Sequence, residues 1–196
     1  LGIGAVHWHE IDVQESRKII KYAMDNGINL LDFAMAYDTP LLGLGQALSD
    51  KRKEFVYQMH LGLTFPDGQY ERTRDVVRVK EAFESQLAML DTDYADIGFI
   101  HCVDEAEDFD EVFSSGTYEY ALQLKKSGVL HQLGFATHTI DIAEKFLPIG
   151  TFDICMFSIN PASAFDQVGN LAFEGLASPD DSPSRACRRR SGFLSR

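Results

Sequence analysis

The chain has 196 residues, of which 45% are hydrophobic and 24% charged, a composition typical of a globular protein with enough apolar side chains for a core. It carries 30 acidic and 18 basic side chains, a net charge of −12, so its surface would repel nucleic acid and we expect no nucleic-acid partner. No apolar run approaches the roughly 18 residues of a membrane helix, and no signal-peptide pattern is present, which predicts a cytoplasmic protein without a membrane partner.

The predicted elements alternate between strands and helices along the chain. The opening run LGIGAV predicts a first strand. Residues 12–26 predict a helix with Asp12 as its N-cap, Glu15 three residues later and Gly27 as its end. Thr73 can cap a longer helix that runs to about Leu90. The other predicted strands are 28–34, 55–60, 96–102, 131–137 and 152–159, and the other predicted helices are 41–50, 117–127 and 140–147.

Six nearly continuous apolar strands separated by helices predict a parallel sheet covered by helices. A doubly wound nucleotide-binding fold is the less favoured alternative, because the segment after the first strand, GIGAVHWHEID, fails the G-x-G-x-x-G spacing. Polar residues instead follow most of the strands, as in a (β/α)8 TIM barrel. Since a complete barrel needs about 250 residues and eight βα units, we predict an incomplete α/β barrel of about six units.

The two ends of the chain differ from its body. The barrel is predicted to occupy residues 1–161, and residues 162–196 are predicted to form an atypical, irregular C-terminal segment. Residues 179–196 hold five Arg and two Asp, a net charge of +3, whereas the other 178 residues hold 13 basic and 28 acidic side chains. This switch, together with a chain that opens inside a strand, leads us to expect a truncated protein or a frame change near residue 178.

Four candidate site residues follow or end predicted strands. Asp32 ends the second strand, Tyr37 lies in the loop five residues later, and His60 and His101 each end a further strand. Each of them alone has an ordinary structural interpretation, such as a helix cap or a satisfied polar group. Because the carboxyl ends of barrel strands meet at one rim, their coincidence indicates a catalytic site there.

Three segments resemble one enzyme family. GINLLDFAMAYD resembles the aldo/keto reductase signature G-I-N-x-x-D-x-A-x-x-Y, and SQLAMLDTDYADIGFIH resembles its S-L-x-x-L-x-T-D-Y-x-D-x-x-x-x-H. KKSGVLHQLGFATH is similar to the family's K-x-G-x-x-R-x-I-G-x-S segment. The resemblance runs from about residue 1 to residue 161 and is strongest to a bacterial branch that carries a C-terminal ferredoxin-like extension.

The resemblance implies reversible hydride transfer between NADPH, or NADH, and a small-molecule carbonyl or alcohol. It makes Tyr37 the general acid, Asp32 the supporting carboxylate, and His101 a hydrogen-bond donor to the substrate. A phenol ordinarily loses its proton at about pH 10, so the mechanism needs a cation beside Tyr37. The family normally has lysine for this purpose, whereas this chain has His60, which would have to hold a proton with the help of Asp32.

The predicted cofactor residues also depart from the family pattern. Gly4 and Ala5 can approach the cofactor through their backbone, and Thr137 corresponds to a nicotinamide-contacting position. Ala136 and Met156 replace the family's Ser and Gln, so two side-chain contacts are missing. An iron–sulfur cluster is expected only if a ferredoxin-like extension exists, because Cys102, Cys155 and Cys187 are too far apart to form such a site.

Two other functions stay open at this point. His7 and His9 form an H-x-H after the first strand, which a metal-dependent barrel hydrolase would combine with His60, His101 or His138. No acidic ligand is obviously placed for that site, so no metal is predicted. A non-catalytic fragment is the third possibility. An incomplete barrel would leave strand edges unpaired, and we therefore expect self-association through them.

Overall fold

A computed structural model describes residues 2–4, 12–34 and 38–158, with side chains from residue 42 onward in the second helix. The strands are β1 (Gly2–Gly4), β2 (Leu30–Phe33), β3 (Val56–Leu61), β4 (Leu63–Thr64), β5 (Glu71–Arg72), β6 (Ala95–Ile100), β7 (Leu130–Thr137) and β8 (Ile154–Phe157). The helices are α1 (Val13–Asp25), α2 (Asp38–Leu48), α3 (Val76–Met89), α4 (Ala106–Ser114), α5 (Thr117–Ser127) and α6 (Ile140–Phe146), with short 3-10 turns at Arg52–Glu54, Pro66–Gly68 and Leu147–Ile149.

Six strands form one parallel sheet in the order β1-β2-β3-β6-β7-β8. Helices lie in the connections between these strands, and β4 and β5 form a separate antiparallel pair after β3. This arrangement confirms the predicted α/β fold, an incomplete (β/α)8 barrel, within the described residues. In that part of the chain, no helix is long and apolar enough to cross a membrane.

The sequence-based elements are present in the described chain, with bounds that differ by a few residues. Helix α1 begins as predicted, since Asp12 Oδ1 accepts a hydrogen bond from the Glu15 N–H at 2.8 Å. The prediction for α3 is wrong at its start: Asp75, not Thr73, caps the helix and accepts from the Val77 N–H at 2.9 Å. Helix α4 and the β4–β5 pair were not predicted at all.

The main core lies between the sheet and the helices. On β3, Tyr57, Met59 and Leu61 are fully buried and belong to this core. Because side chains alternate along a strand, Gln58 and His60 face the opposite side of the sheet. That side is the interior of the incomplete barrel, and it holds the candidate site.

A partly buried arginine, Arg52, stabilises the N-terminal edge of the sheet, opposite the candidate site. The Arg52 guanidinium lies 3.8 Å from the ring centroids of both Tyr57 and Tyr94. It donates hydrogen bonds to the carbonyl oxygens of Phe55 and Tyr94 and to the Asp96 carboxylate. Arg52 therefore links the segments that lead into β3 and β6. In TIM barrels, residues at this N-terminal face contribute to stability rather than to catalysis.

Candidate active site

The carboxyl ends of β2, β3 and β6 bring three of the predicted residues together. Nε2 of His60 lies 2.8 Å from Oδ1 of Asp32, and Nδ1 of His60 lies 3.0 Å from Nδ1 of His101. His60 is 3% exposed and His101 is 8% exposed, whereas the Asp32 side chain is 27% exposed. The three groups thus form one hydrogen-bonded chain that is mostly shielded from water.

The donor and acceptor properties of Asp32, His60 and His101 restrict where the protons of this hydrogen-bonded group can lie. A carboxylate only accepts, so Nε2 of His60 donates to Asp32. The two facing Nδ1 atoms then share a single proton. When His60 is neutral, His101 donates from Nδ1; when His60 carries two protons, His101 accepts at Nδ1 and its own proton moves to Nε2.

His101 itself stays neutral. Burial first, and then electrostatic interaction with the His60, Arg74 and Arg72 side chains, lowers the pKa of His101 to about 3. At neutral pH, His101 therefore has one N–H and one bare ring nitrogen, and the state of His60 decides which nitrogen is which.

Tyr70 extends the hydrogen-bonded chain of Asp32, His60 and His101 toward solvent. It was not among the residues predicted from the sequence. Its hydroxyl lies 3.3 Å from Nε2 of His101, and the residue is 57% exposed. Because the phenol is partly shielded from water, the pKa of Tyr70 is raised above its ordinary value. The sequence signal was the turn at Pro66–Gly68, which reverses the chain after β4 and returns Tyr70 to the strand ends.

The predicted cofactor residues lie at the same rim where they are described. Gly4 is paired with Asp32 across β1 and β2, and no described atom beyond its chain neighbours lies within 4 Å of a β-carbon at Gly4. Thr137 ends β7, is 2% exposed, and donates its hydroxyl to Oδ1 of Asp104 at 3.2 Å. Asp104, another residue that the sequence analysis missed, also accepts from the His138 backbone N–H at 2.7 Å.

Several predicted residues fall outside the described part of the chain. Tyr37, Ala5, His7 and His9 are among them, so their roles stay predictions. Within the described ranges, no group of three or more His, Cys, Asp or Glu side chains is arranged to hold a metal ion.

Comparison with known proteins gives one consistent family. The profile of the aldo/keto reductase family matches residues 1–165. Among curated proteins, aldo-keto reductase YhdN of Bacillus subtilis is 27% identical over 148 residues, which cover 74% of this chain and 43% of that protein.

Solved structures of the same family share the fold. Aldo-keto reductase AKR11C1 of Bacillus halodurans, in its holo form, is 26% identical with a TM-score of 0.68 and covers 81% of this chain. PA4992 of Pseudomonas aeruginosa is 26% identical with a TM-score of 0.73; the match covers 90% of this chain and 68% of that one. An aldo-keto reductase of Klebsiella pneumoniae in complex with NADPH, 17% identical, has a TM-score of 0.64, covering 88% of this chain and 59% of that one. The chain spans about half the length of the first two relatives, 43% of YhdN and 53% of AKR11C1.

Proposed function

Because the chain belongs to the aldo/keto reductase family, we propose that its site reduces a small-molecule carbonyl, or oxidises the corresponding alcohol, by hydride transfer with a nicotinamide cofactor. The observation that carries this proposal is the hydrogen-bonded chain of Asp32, His60 and His101 at three neighbouring strand ends. A substrate oxygen that gains negative charge needs both a proton donor and hydrogen-bond donors. The imidazoles of His60 and His101 can supply hydrogen-bond donors, and Tyr37 is the proposed proton donor.

Each side chain has a distinct role in the proposal. Tyr37 donates a proton to the substrate oxygen during reduction and takes it back during oxidation. Asp32 holds the Nε2 proton of His60, so that a second proton on His60 is balanced by a carboxylate. A doubly protonated His60 forces the proton of neutral His101 onto Nε2, the nitrogen that faces Tyr70 and the open side of the site. His101 then serves as a hydrogen-bond donor to the substrate oxygen.

NADPH, when bound, supplies the hydride. Gly4 would hold the cofactor through its backbone: it pairs with Asp32, and among the described residues no atom beyond its chain neighbours lies within 4 Å of a β-carbon at Gly4. Thr137 contributes less directly, because its hydroxyl is engaged by Asp104. The complex of the Klebsiella protein makes NADPH the first cofactor to test.

The test combines cofactor titration with a carbonyl-reduction assay. We expect the protein fluorescence to change on NADPH addition and to saturate. Tyr37→Phe removes the proposed acid, so kcat should fall roughly 100- to 10,000-fold while the NADPH Kd changes little. The matched control is Tyr22→Phe, a phenol on α1 that is 71% exposed and remote from the rim; it should behave like the unmodified chain.

Two outcomes contradict the proposal. One is failure to bind either NADPH or NADH at concentrations well above those typical of this class of enzyme. The other is a Tyr37→Phe variant whose kcat equals that of the Tyr22→Phe control.

A further inference from the structure

The turn that follows β6 has an unusual backbone. Cys102 adopts a φ of 40°, in the left-handed region that residues other than glycine seldom occupy. Such a conformation costs free energy and persists only when the surroundings hold it. Cys102 directly follows His101, so whatever holds the turn also fixes the backbone from which the His101 imidazole extends.

Two arginines hold this turn through its carbonyl oxygens. Nη2 of Arg74 donates to the His101 oxygen at 2.6 Å and to the Cys102 oxygen at 3.3 Å. Nη1 of Arg72 donates to the same Cys102 oxygen at 2.7 Å. The strained peptide is thus bound on its acceptor side by two cationic donors.

Arg74 is fixed in turn by a buried carboxylate on α4. Its Nε donates to Oδ1 of Asp108 at 2.7 Å and its Nη2 to Oδ2 at 2.9 Å. The two side chains are 2% and 9% exposed. Burying a charged pair costs desolvation energy, so a buried pair is weak support for stability by itself. The geometry of the Arg74–Asp108 pair indicates a positioning role more directly, because the planar guanidinium reaches the carboxylate and both carbonyl oxygens at once.

The same guanidinium also contacts the strand end that carries His60. Gly62, two residues after His60, has a φ of 91°, and a β-carbon there would lie 2.6 Å from Nη1 of Arg74. The Thr73 N–H donates to the Gly62 oxygen at 3.0 Å. Arg74 therefore packs between the two strand ends whose histidines meet at 3.0 Å.

We propose that Arg74, locked by Asp108, is a positioning residue: it holds the His101–Cys102 turn and the Gly62 backbone so that His101 keeps one orientation toward His60. The effect of this positioning on catalysis rests on the proposed function, whereas the positioning itself concerns only the two imidazoles. Other charged or titratable groups near His101 are Asp32, Tyr70, Arg72 and Cys102.

The test uses Arg74→Lys, which keeps the charge but cannot span a carboxylate and two carbonyls. At a given pH, we expect the two ring nitrogens of His101 to be well separated in long-range ¹H–¹⁵N spectra of the unmodified chain, because Nδ1 faces His60 and Nε2 faces Tyr70. In Arg74→Lys the two signals should move toward each other as the imidazole loses its orientation toward His60. In the enzyme assay, kcat should fall roughly 10- to 100-fold with a smaller change in KM, because misplacement of a catalytic group affects mainly the transition state.

Arg52→Lys is the matched control. Arg52 is a partly buried arginine that also binds an aspartate and two carbonyl oxygens, but it lies at the opposite edge of the sheet. Both variants should lower Tm, and only Arg74→Lys should alter the His101 signals. Asp108→Asn is a milder change at the same place and should shift the His101 signals in the same direction. It decides the question if Arg74→Lys does not fold.

A rescue experiment separates positioning from general support. Glycine adopts a positive φ without the steric cost of cysteine, so Cys102→Gly should restore part of the His101 signal separation in the Arg74→Lys background. It should restore nothing in the Arg52→Lys background. If His101 signals in both Arg74→Lys and Asp108→Asn match those of Arg52→Lys, the positioning role is wrong. Absence of carbonyl reduction by the unmodified chain would instead overturn the proposed function, and the imidazole spectra would still decide the role of Arg74.

Discussion

The candidate site depends on a histidine that burial keeps neutral. His101 is surrounded by His60, Arg72 and Arg74, and its backbone oxygen binds Arg74 directly. A neutral imidazole can exchange the positions of its proton and lone pair without changing its net charge. Whether His101 offers a donor or an acceptor to Tyr70 therefore depends on which of the two facing Nδ1 atoms donates in its contact with His60.

The same residue should make the free energy of unfolding depend on pH. The pKa of His101 is about 3 in the folded chain, against an ordinary value of 6.5. Between these values the unfolded chain binds more protons than the folded one, so acid favours unfolding. The contribution of His101 to the free energy of unfolding is fully present above about pH 6.5. Below that pH it declines by up to roughly 1.4 kcal/mol for each pH unit.

Urea denaturation of the unmodified chain and of His101→Gln, between about pH 4 and pH 7, measures this contribution. A glutamine side chain cannot titrate, so the variant should show a shallower decline, and the difference in slope belongs to His101. Equal slopes in the two proteins would mean that His101 takes up its proton equally well in the folded and unfolded chains.

Helix α3 has one polar side chain on its buried face. Val79, Phe83 and Leu87 recur at helical spacing and enter the core. Gln86 lies beside them, is 0% exposed, and neither its Oε1 nor its Nε2 has a hydrogen-bond partner among the described residues. A buried amide without partners costs free energy that an apolar side chain of similar shape does not.

Gln86→Met should therefore stabilise the chain by about 1–2 kcal/mol, because methionine keeps the length and flexibility of glutamine without its amide. Gln46→Met, at an exposed position on α2, is the control and should change the free energy of unfolding by less than about 0.5 kcal/mol. Both are compared by urea or thermal denaturation. A less stable Gln86→Met would show that the amide is satisfied in solution.

In the part of the chain that the structure describes, the parallel sheet has two outer strands. β1 and β8 each pair with a described strand on one side only, and all four residues of β8 are half-buried, whereas the central strand β3 is almost entirely buried. Outer strands with accessible backbone groups can pair with another chain. The net charge of −12 opposes such contacts at low ionic strength.

We therefore expect the chain to self-associate, more strongly as protein concentration and salt rise, in sedimentation velocity experiments. Met156→Lys places a charge on β8 and should reduce association. Leu147→Lys adds the same charge at an exposed position away from that strand and should leave association unchanged. A monodisperse monomer at every concentration and salt level would exclude this role of the outer strands.

Local patterns in the amino-acid sequence were enough to specify the alternation of strands and helices and the strand-end positions of Asp32, His60 and His101. Apolar runs specify buried parallel strands, and a parallel sheet gathers its carboxyl ends at one edge. Helix α4 was not predicted from such a pattern, in part because its N-cap is Glu105, which is not one of the Ser, Thr, Asp or Asn residues that usually mark a helix start.

Which side chains meet was set by the packing of the folded chain. Tyr70 reaches His101 across 31 residues of sequence, Arg74 reaches Asp108 across 34, and His60 reaches His101 across 41. No local pattern encodes such contacts, because they depend on how the connections after β3 and β6 fold back over the strand ends. The residues that carry the proposed chemistry are thus visible in the sequence, whereas the groups that orient them come from distant segments brought together by folding.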